Sequence, residues 1–145
     1  MNTKNMFVVD VESNGPCPGL YSMVQFAAVK ITDDLANAFH GKLKPLNNNY
    51  LPEAVAKSGC TWEESLLFPE PAEVIINFDD WLYKASESKP IFWSDNPAFD
   101  WQFINYYFHS YLGRNPFGFS ARRIGDYYSG LVKDLRKSSE WKNFE

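Results

Sequence analysis

The sequence lacks several features that define whole classes of protein. It has two cysteines, Cys17 and Cys60, in no spacing typical of metal ligands, so we expect reduced structural thiols rather than a disulfide framework. No apolar run approaches the roughly 18 residues of a membrane span, and residues 1–5 lack the apolar centre of a signal peptide. Repeats, low-complexity tracts and linkers are absent as well. We therefore expect a cytoplasmic protein with no membrane partner.

An excess of basic residues is also missing, because the net charge is −4. This argues against a long basic groove for nucleic acid. The charge is uneven, however: residues 113–145 hold seven basic and four acidic side chains, which leaves +3 there and −7 in the remainder. A solvated helix face and a phosphate-binding surface both explain such a segment, and the sequence does not choose between them.

What is present suits one domain of the α/β class. The chain has 145 residues, of which 45% are hydrophobic and 17% aromatic, enough for one core. Apolar periodicity predicts an antiparallel meander of three strands at about residues 6–11, 23–32 and 38–45. Helices are predicted at about 52–58, 63–67, 72–86 and 97–111, a parallel strand at 91–94, and a short strand or loop leading into a helix within 122–135.

Two acidic residues follow the first apolar strand directly. Asp10 and Glu12 project to the same face because strand side chains alternate. Like charges this close repel each other unless a cation lies between them, and Mg²⁺ prefers oxygen ligands of this kind. The pair also suits a strand that simply ends in water, so we interpret it as half of a metal site only in combination with a second segment.

The second segment, residues 91–100, is an aromatic strand followed by a predicted helix. Asn96 is a favourable N-cap and Pro97 suits the first helical position, so Asp100 falls at the end of the first turn, near a strand end. An acid here also complements the helix dipole.

Together the two segments resemble the DEDD superfamily of 3′-to-5′ exonucleases. Residues 10–15 (DVESNG) resemble the first motif of that family, D-x-E-[ST]-x-G, and residues 96–100 (NPAFD) resemble the second, N-x-x-F-D. The resemblance covers about residues 6–135. It implies a ribonuclease H-like fold, in which a mixed sheet, formed by a three-stranded antiparallel meander plus parallel strands, is flanked by helices.

The resemblance further implies two-metal hydrolysis of phosphodiester bonds at the 3′ end of single-stranded DNA or RNA. Asp10, Glu12 and Asp100 match the catalytic ligands of two Mg²⁺ or Mn²⁺ ions per site. A homodimer is a further expectation from relatives. An enzyme of this kind grips the last nucleotides only, so an acidic chain is compatible with it. The matching substrate-binding positions are Ser13, Asn14, Gly15, Tyr21, Asn96 and Phe99.

The chain departs from the family at its last motif, H-x-x-x-x-D or Y-x-x-x-D, which supplies the general base and a fourth acid. His40, His109, Tyr127 and Tyr128 are not followed by an Asp at either spacing. We expect a single exonuclease-like domain, residues 1–145, that lacks its C-terminal closing helix and is weakly active. Replacement of the fourth acid by Asp126 or Asp134, and a closing element from a partner chain, stay open.

Two rival classes keep the same acids. A catalytically dead protein would bind nucleic-acid ends without cutting them, and a nucleotide phosphatase would cleave a monoester and ignore oligonucleotides. A substrate panel separates these three functions.

Overall fold

The computed structural model of the protein describes residues 2–143. Within these residues the chain forms three strands, then three α-helices, and then strands and α-helices in alternation. The strands are β1 (Met6–Ser13), β2 (Met23–Lys30), β3 (Ala38–Lys42), β4 (Ile91–Ser94) and β5 (Ala121–Arg123). The helices are α1 (Pro52–Lys57), α2 (Trp62–Ser65), α3 (Pro71–Ala85), α4 (Pro97–Leu112) and α5 (Ile124–Val132), followed by 3₁₀ turns at Leu135–Lys137 and Glu140–Lys142.

The strands form one mixed sheet in the order β3-β2-β1-β4-β5. The pairs β1–β2 and β2–β3 are antiparallel, whereas β4 runs parallel to β1 and β5 runs parallel to β4. The predicted meander and parallel strand are therefore confirmed, with β1 at the centre. The third strand ends at Lys42 rather than at residue 45, because Leu43 is the last residue whose amide bonds to β2.

The core lies on one face of the sheet, beneath α3 and α4. On β1 the side chains of Phe7, Val9 and Val11 are buried there. The predicted apolar stripe of α3 packs on this face of the sheet through Phe78, whose ring centre lies 4.8 Å from that of Phe26 on β2. The same ring stacks on Phe108 of α4. This aromatic packing holds α3 and α4 in a fixed relation to the sheet.

Two local details differ from the sequence expectations. Helix α4 begins at Pro97 as predicted, but the Asn96 side chain forms no capping hydrogen bond, since only its backbone carbonyl accepts from the helix. The two 3₁₀ turns after α5 were not predicted. They are short and lack an apolar period, so a search for helical periodicity does not detect them.

The 3₁₀ segment folds back onto α5. A side chain at Gly125 would collide with the backbone carbonyl of Ser138, so the two segments approach each other as closely as a glycine allows. Nearby, Tyr127 of α5 packs edge-on against Trp93 of β4. Helix α5 and the 3₁₀ segment thus lie at the β4–β5 side of the sheet, on the face opposite the core.

Within residues 2–143, we find no helix with the length and apolar content that crossing a bilayer requires.

Candidate active site

The first motif lies where predicted, on the face of β1 opposite the core. Burial alternates along the strand, so that Val9 and Val11 face the core while Asp10 is exposed and Glu12 is half-buried on the other face. The prediction that both carboxylates share one face is confirmed. The strand thus presents two acids to solvent while its other side is anchored in apolar packing.

Asp100 joins them from α4. Its Oδ1 accepts a hydrogen bond of 2.9 Å from the backbone N–H of Val11, the residue between Asp10 and Glu12. Pairing of β1 with β4 extends only to Val8 and Trp93, so this N–H is left without a strand partner and the carboxylate takes it. Only 3% of Asp100 is exposed. Residues 89 positions apart are therefore brought together by one buried bond.

All three acids have raised pKa values, and burial is the largest cause for each. Burial raises the pKa of Asp100 to about 6, with a smaller contribution from the charge of Asp10, while the Val11 N–H opposes the rise. Burial also raises the pKa of Glu12, and Asp10 adds to it. The Ser94 hydroxyl also lowers the pKa of Asp100. Its geometry, however, falls outside that of a hydrogen bond.

No ion pair between described residues compensates these charges, because none of the observed pairs includes Asp10, Glu12 or Asp100. An uncompensated group of oxygen donors suits Mg²⁺ or Mn²⁺ in chemical type. As they stand, however, no three Asp, Glu, His or Cys side chains among residues 2–143 are arranged to hold a metal ion between them. The donors are nevertheless of the chemical type that a hard divalent ion binds.

A fourth acid, Asp95, lies beside this group and was missed by the sequence analysis. β1 and β4 are in register at Val8 and Trp93, so Asp95, the residue after the end of β4, comes next to Asp10 on the same face. The pKa of Asp10 is raised first by burial and then by the charge of Asp95. Asp95 could have been found by counting residues along two neighbouring parallel strands to their ends. That count identifies adjacent residues only once the register of the two strands is known.

A pocket of about 310 Å³ opens at the Glu12 end of the group. Three of the predicted substrate-binding residues, Ser13, Gly15 and Phe99, line it together with Pro16 and part of α1. The α1 residues are Leu51 at its N-cap, Glu53, Ala54 and Lys57. A larger groove of about 830 Å³ lies at the C-terminal end of α3, but it contains none of the predicted site residues. Proximity to the acids, rather than volume, identifies the candidate site.

The other three predicted substrate-binding residues are not among the lining of this pocket. Asn14 is 1% exposed, and its Oδ1 accepts from the Ser22 N–H, so it braces the loop. The ring of Tyr21 packs directly on Gly15. Asn96 is exposed on the turn before α4. Contact of Asn14 with substrate stays a prediction, and in this arrangement loop hydrogen bonds bury its side chain.

The residues considered for the missing motif are engaged elsewhere. Asp126 forms an ion pair with Arg123 at 3.0 Å, and Asp134 forms one with Arg136 at 3.0 Å. His40 projects from the edge strand β3, and His109 lines a groove on the outer side of α4. In the part of the chain that the structure covers, neither histidine lies at the pocket beside Glu12.

Comparison with known proteins gives one curated relative with high similarity. The 3′-5′ DNA exonuclease Cap18 of Escherichia coli is 37% identical over 144 residues, which cover 94% of this chain and 76% of the relative. No protein-family model matches.

Solved structures show the same fold. Escherichia coli exonuclease I bound to single-stranded DNA, in its metal-free form, aligns with a TM-score of 0.70 at 19% identity over 88% of this chain. The zinc-bound form of that complex aligns with a TM-score of 0.70 at 20% identity, again over 88% of this chain. The chain spans 29% of the exonuclease I chain in both cases. The predicted ribonuclease H-like fold is thereby confirmed.

Proposed function

This chain belongs to the DEDD superfamily of 3′-to-5′ exonucleases, and from that premise we propose that it hydrolyses the last phosphodiester bond at the 3′ end of single-stranded DNA. The observation that carries the proposal is the buried 2.9 Å bond from the Val11 N–H to Asp100. This bond unites the acids of both motifs beside a pocket of about 310 Å³, a volume in the range of small-ligand sites. DNA is proposed over RNA because the curated relative is a DNA exonuclease.

The residues have separate roles in this proposal. Asp10, Glu12 and Asp100 would hold Mg²⁺ or Mn²⁺, two ions per site, and these ions would supply positive charge for the attacking water and the leaving oxygen. Phe99 and Leu51 offer apolar surface to the terminal base or sugar. The backbone around Gly15 lies at the pocket wall, where a terminal hydroxyl group would meet it.

Removal of a proton from the attacking water is the step that this arrangement supports least. The described acids include Asp100 with a pKa of about 6, but its Oδ1 is committed to Val11, and neither histidine lines the pocket. General-base catalysis typically contributes about 10²–10⁴-fold to rate. We therefore propose that the 145-residue chain cuts slowly. That it is one exonuclease-like domain without a closing helix, and that it pairs as a homodimer, stay predictions.

The proposal is tested with a single-stranded DNA oligonucleotide labelled at its 5′ end. With Mn²⁺ or Mg²⁺ the labelled strand should shorten stepwise, whereas an enzyme acting from the 5′ end would release the label at once. Asp10→Asn should reduce the rate more than about 100-fold, since even indirect partners of metal ligands are worth 10–100-fold. Asp80→Asn, at an exposed acid paired with Lys84 on α3, is the matched control and should leave the rate unchanged.

Two results would contradict the proposal. Hydrolysis of a nucleoside monophosphate with no effect on the oligonucleotide would identify a phosphatase. Tight binding of the strand with no shortening under either metal would identify an end-binding protein. The same strand in RNA form gives the preference between the two nucleic acids, and faster cutting of RNA would overturn the choice of DNA.

A further inference from the structure

The last 3₁₀ turn brings one basic side chain to the edge of the acidic group. The Nζ of Lys142 donates a hydrogen bond of 2.6 Å to Oδ2 of Asp95. In the same place the Nε of Arg123 donates to the backbone carbonyl of Asp95 at 3.2 Å. The turn between β4 and α4 is thus held by two basic residues that are distant from it in sequence.

Three basic residues of the C-terminal third are paired away from this edge. Arg114 pairs with Asp79 at 2.7 Å, Arg136 pairs with its neighbour Asp134, and Lys137 pairs with Glu140. The positive excess of residues 113–145 therefore does not form one continuous surface. Its contribution to the candidate site comes from Arg123, which binds the backbone carbonyl of Asp95, and from Lys142, which binds its carboxylate.

The pocket and Lys142 lie in different directions from Asp10. The pocket is at Glu12, which is two residues further along β1, whereas Asp95 lies one strand across, next to Asp10. A strand whose terminal nucleotide filled the pocket would place its scissile phosphate at Asp10 and Asp100. Asp95, next to Asp10 on the β4 side, would then lie within reach of the preceding phosphate.

We propose that Lys142 binds the phosphate immediately upstream of the scissile one and that Asp95 positions it there. This inference deepens the proposed function and rests on it. Lys142 would be a substrate-binding residue, and Asp95 a positioning residue that acts through it. A phosphate has a fixed negative charge and several acceptor oxygens, so the ammonium group can contact it without leaving Asp95.

The structure supports both the availability of Lys142 and its placement. Its side chain is 51% exposed and that of Asp95 is 42% exposed, so a ligand can reach the pair and the bond between them is weak. The 3₁₀ segment that carries Lys142 is held against α5, because Gly125 of α5 leaves no space between itself and Ser138. Lys142 also lies over the ring of Trp141, at 5.9 Å from its centre, which further limits where the ammonium group can go.

The test measures binding of a single-stranded DNA oligonucleotide with Ca²⁺ in place of Mg²⁺, with recovery of the intact strand checked. Lys142→Gln should weaken binding several-fold at low salt, and the slope of log affinity against log salt should fall by about 0.7, the value for one phosphate contact on a single strand. Lys137→Gln, in the same segment but paired with Glu140, is the matched control and should change neither quantity.

The position of the contact is tested on the ligand. An uncharged methylphosphonate at the second linkage from the 3′ end should weaken wild-type binding by the same factor and have no additional effect in Lys142→Gln. Thymidine 5′-monophosphate, which carries only the terminal phosphate, should bind both proteins equally. Asp95→Asn should weaken oligonucleotide binding less than Lys142→Gln does. Its loss should also depend on the charge of the second linkage from the 3′ end.

Three results would overturn the inference: additive losses from the methylphosphonate and the variant, weaker binding of the monophosphate by Lys142→Gln, or tighter oligonucleotide binding by that variant. The last would show that Lys142 is only a counter-ion of the acids. If wild-type protein binds no oligonucleotide at all, the proposed function fails, and this inference fails with it. The two failures are therefore distinguishable.

Discussion

The two faces of β1 differ in nearly every physical respect. On one face Phe7, Val9 and Val11 are buried among the aromatic rings of α3 and α4. On the other, Asp10 and Glu12 repel each other and Asp95 adds to the repulsion. Burial of apolar surface stabilises the fold, whereas uncompensated charge destabilises it. The packing that stabilises the fold and the candidate catalytic acids therefore lie on opposite faces of one strand. Substitutions on the two faces should have different consequences.

The largest expected effect is on the core face. Phe7 is fully buried and contacts Trp81 and Phe117 edge-on. Phe7→Ala should lower the free energy of unfolding by about 3–5 kcal/mol because it removes buried apolar surface and leaves a cavity. The neighbouring Val8, half-buried on the other face, is the control, and Val8→Ala should lower it by about 1 kcal/mol. Urea unfolding gives both values, and equal losses would contradict the division between the faces.

A smaller effect, of opposite sign, is expected at the acids. The pKa of Asp100 is about 6 in the folded chain against an ordinary 3.8, so between these values the folded state holds a proton that the unfolded state has released. Stability should therefore fall as the pH rises from about 4 to about 6, by at most about 3 kcal/mol. Asp100→Asn, which keeps an oxygen acceptor for Val11, should remove this fall and be the more stable protein at neutral pH.

The measurement is urea unfolding of both proteins across that pH range. The difference between them is the informative quantity, since the raised pKa values of Asp10 and Glu12 act in the same direction in each. Mn²⁺ should reduce the difference if the acids hold the ion. A variant that is less stable than wild type at neutral pH would show that the carboxylate stabilises the fold.

The smallest expected effect is at the loop that follows β1 and contains Gly15. A methyl group at Gly15 would overlap the ring of Tyr21, so Gly15→Ala should lower stability by about 1–3 kcal/mol and distort the pocket wall. Gly130, in α5 with open space around it, is the control, and Gly130→Ala should raise stability by about 0.5–1 kcal/mol. Thermal unfolding distinguishes them, and a neutral Gly15→Ala would mean that Tyr21 moves aside freely.

The features that local sequence determines were predicted well. Alternation along residues 6–13 places Asp10 and Glu12 on one face, and the apolar spacing of residues 72–86 identifies the core side of α3. Proline at the start of α4 sets where that helix begins, and thereby the position of Asp100 in its first turn. These features depend on neighbours within a few residues, which a single sequence displays directly.

The features that the sequence did not reveal depend on distant pairing. Asp95 becomes part of the acidic group only through the register of β1 with β4, across 85 positions, and Lys142 reaches it through an unpredicted 3₁₀ turn. The burial of Asn14 is decided by hydrogen bonds that also involve Ser22 and Leu51. No local pattern encodes these contacts.

The hydrogen bond from the Val11 N–H to Asp100 also affects the temperature at which the acidic group loses its arrangement. Val11 lies in the middle strand of the sheet, paired with β2 on one side and bonded to the buried Asp100 carboxylate on the other. Amide hydrogens in such a position exchange with solvent mainly when the domain opens as a whole, whereas loops and terminal turns open far more often. The anchor of Asp100 should therefore outlast fraying of the periphery, and thermal inactivation should coincide with cooperative melting of the sheet.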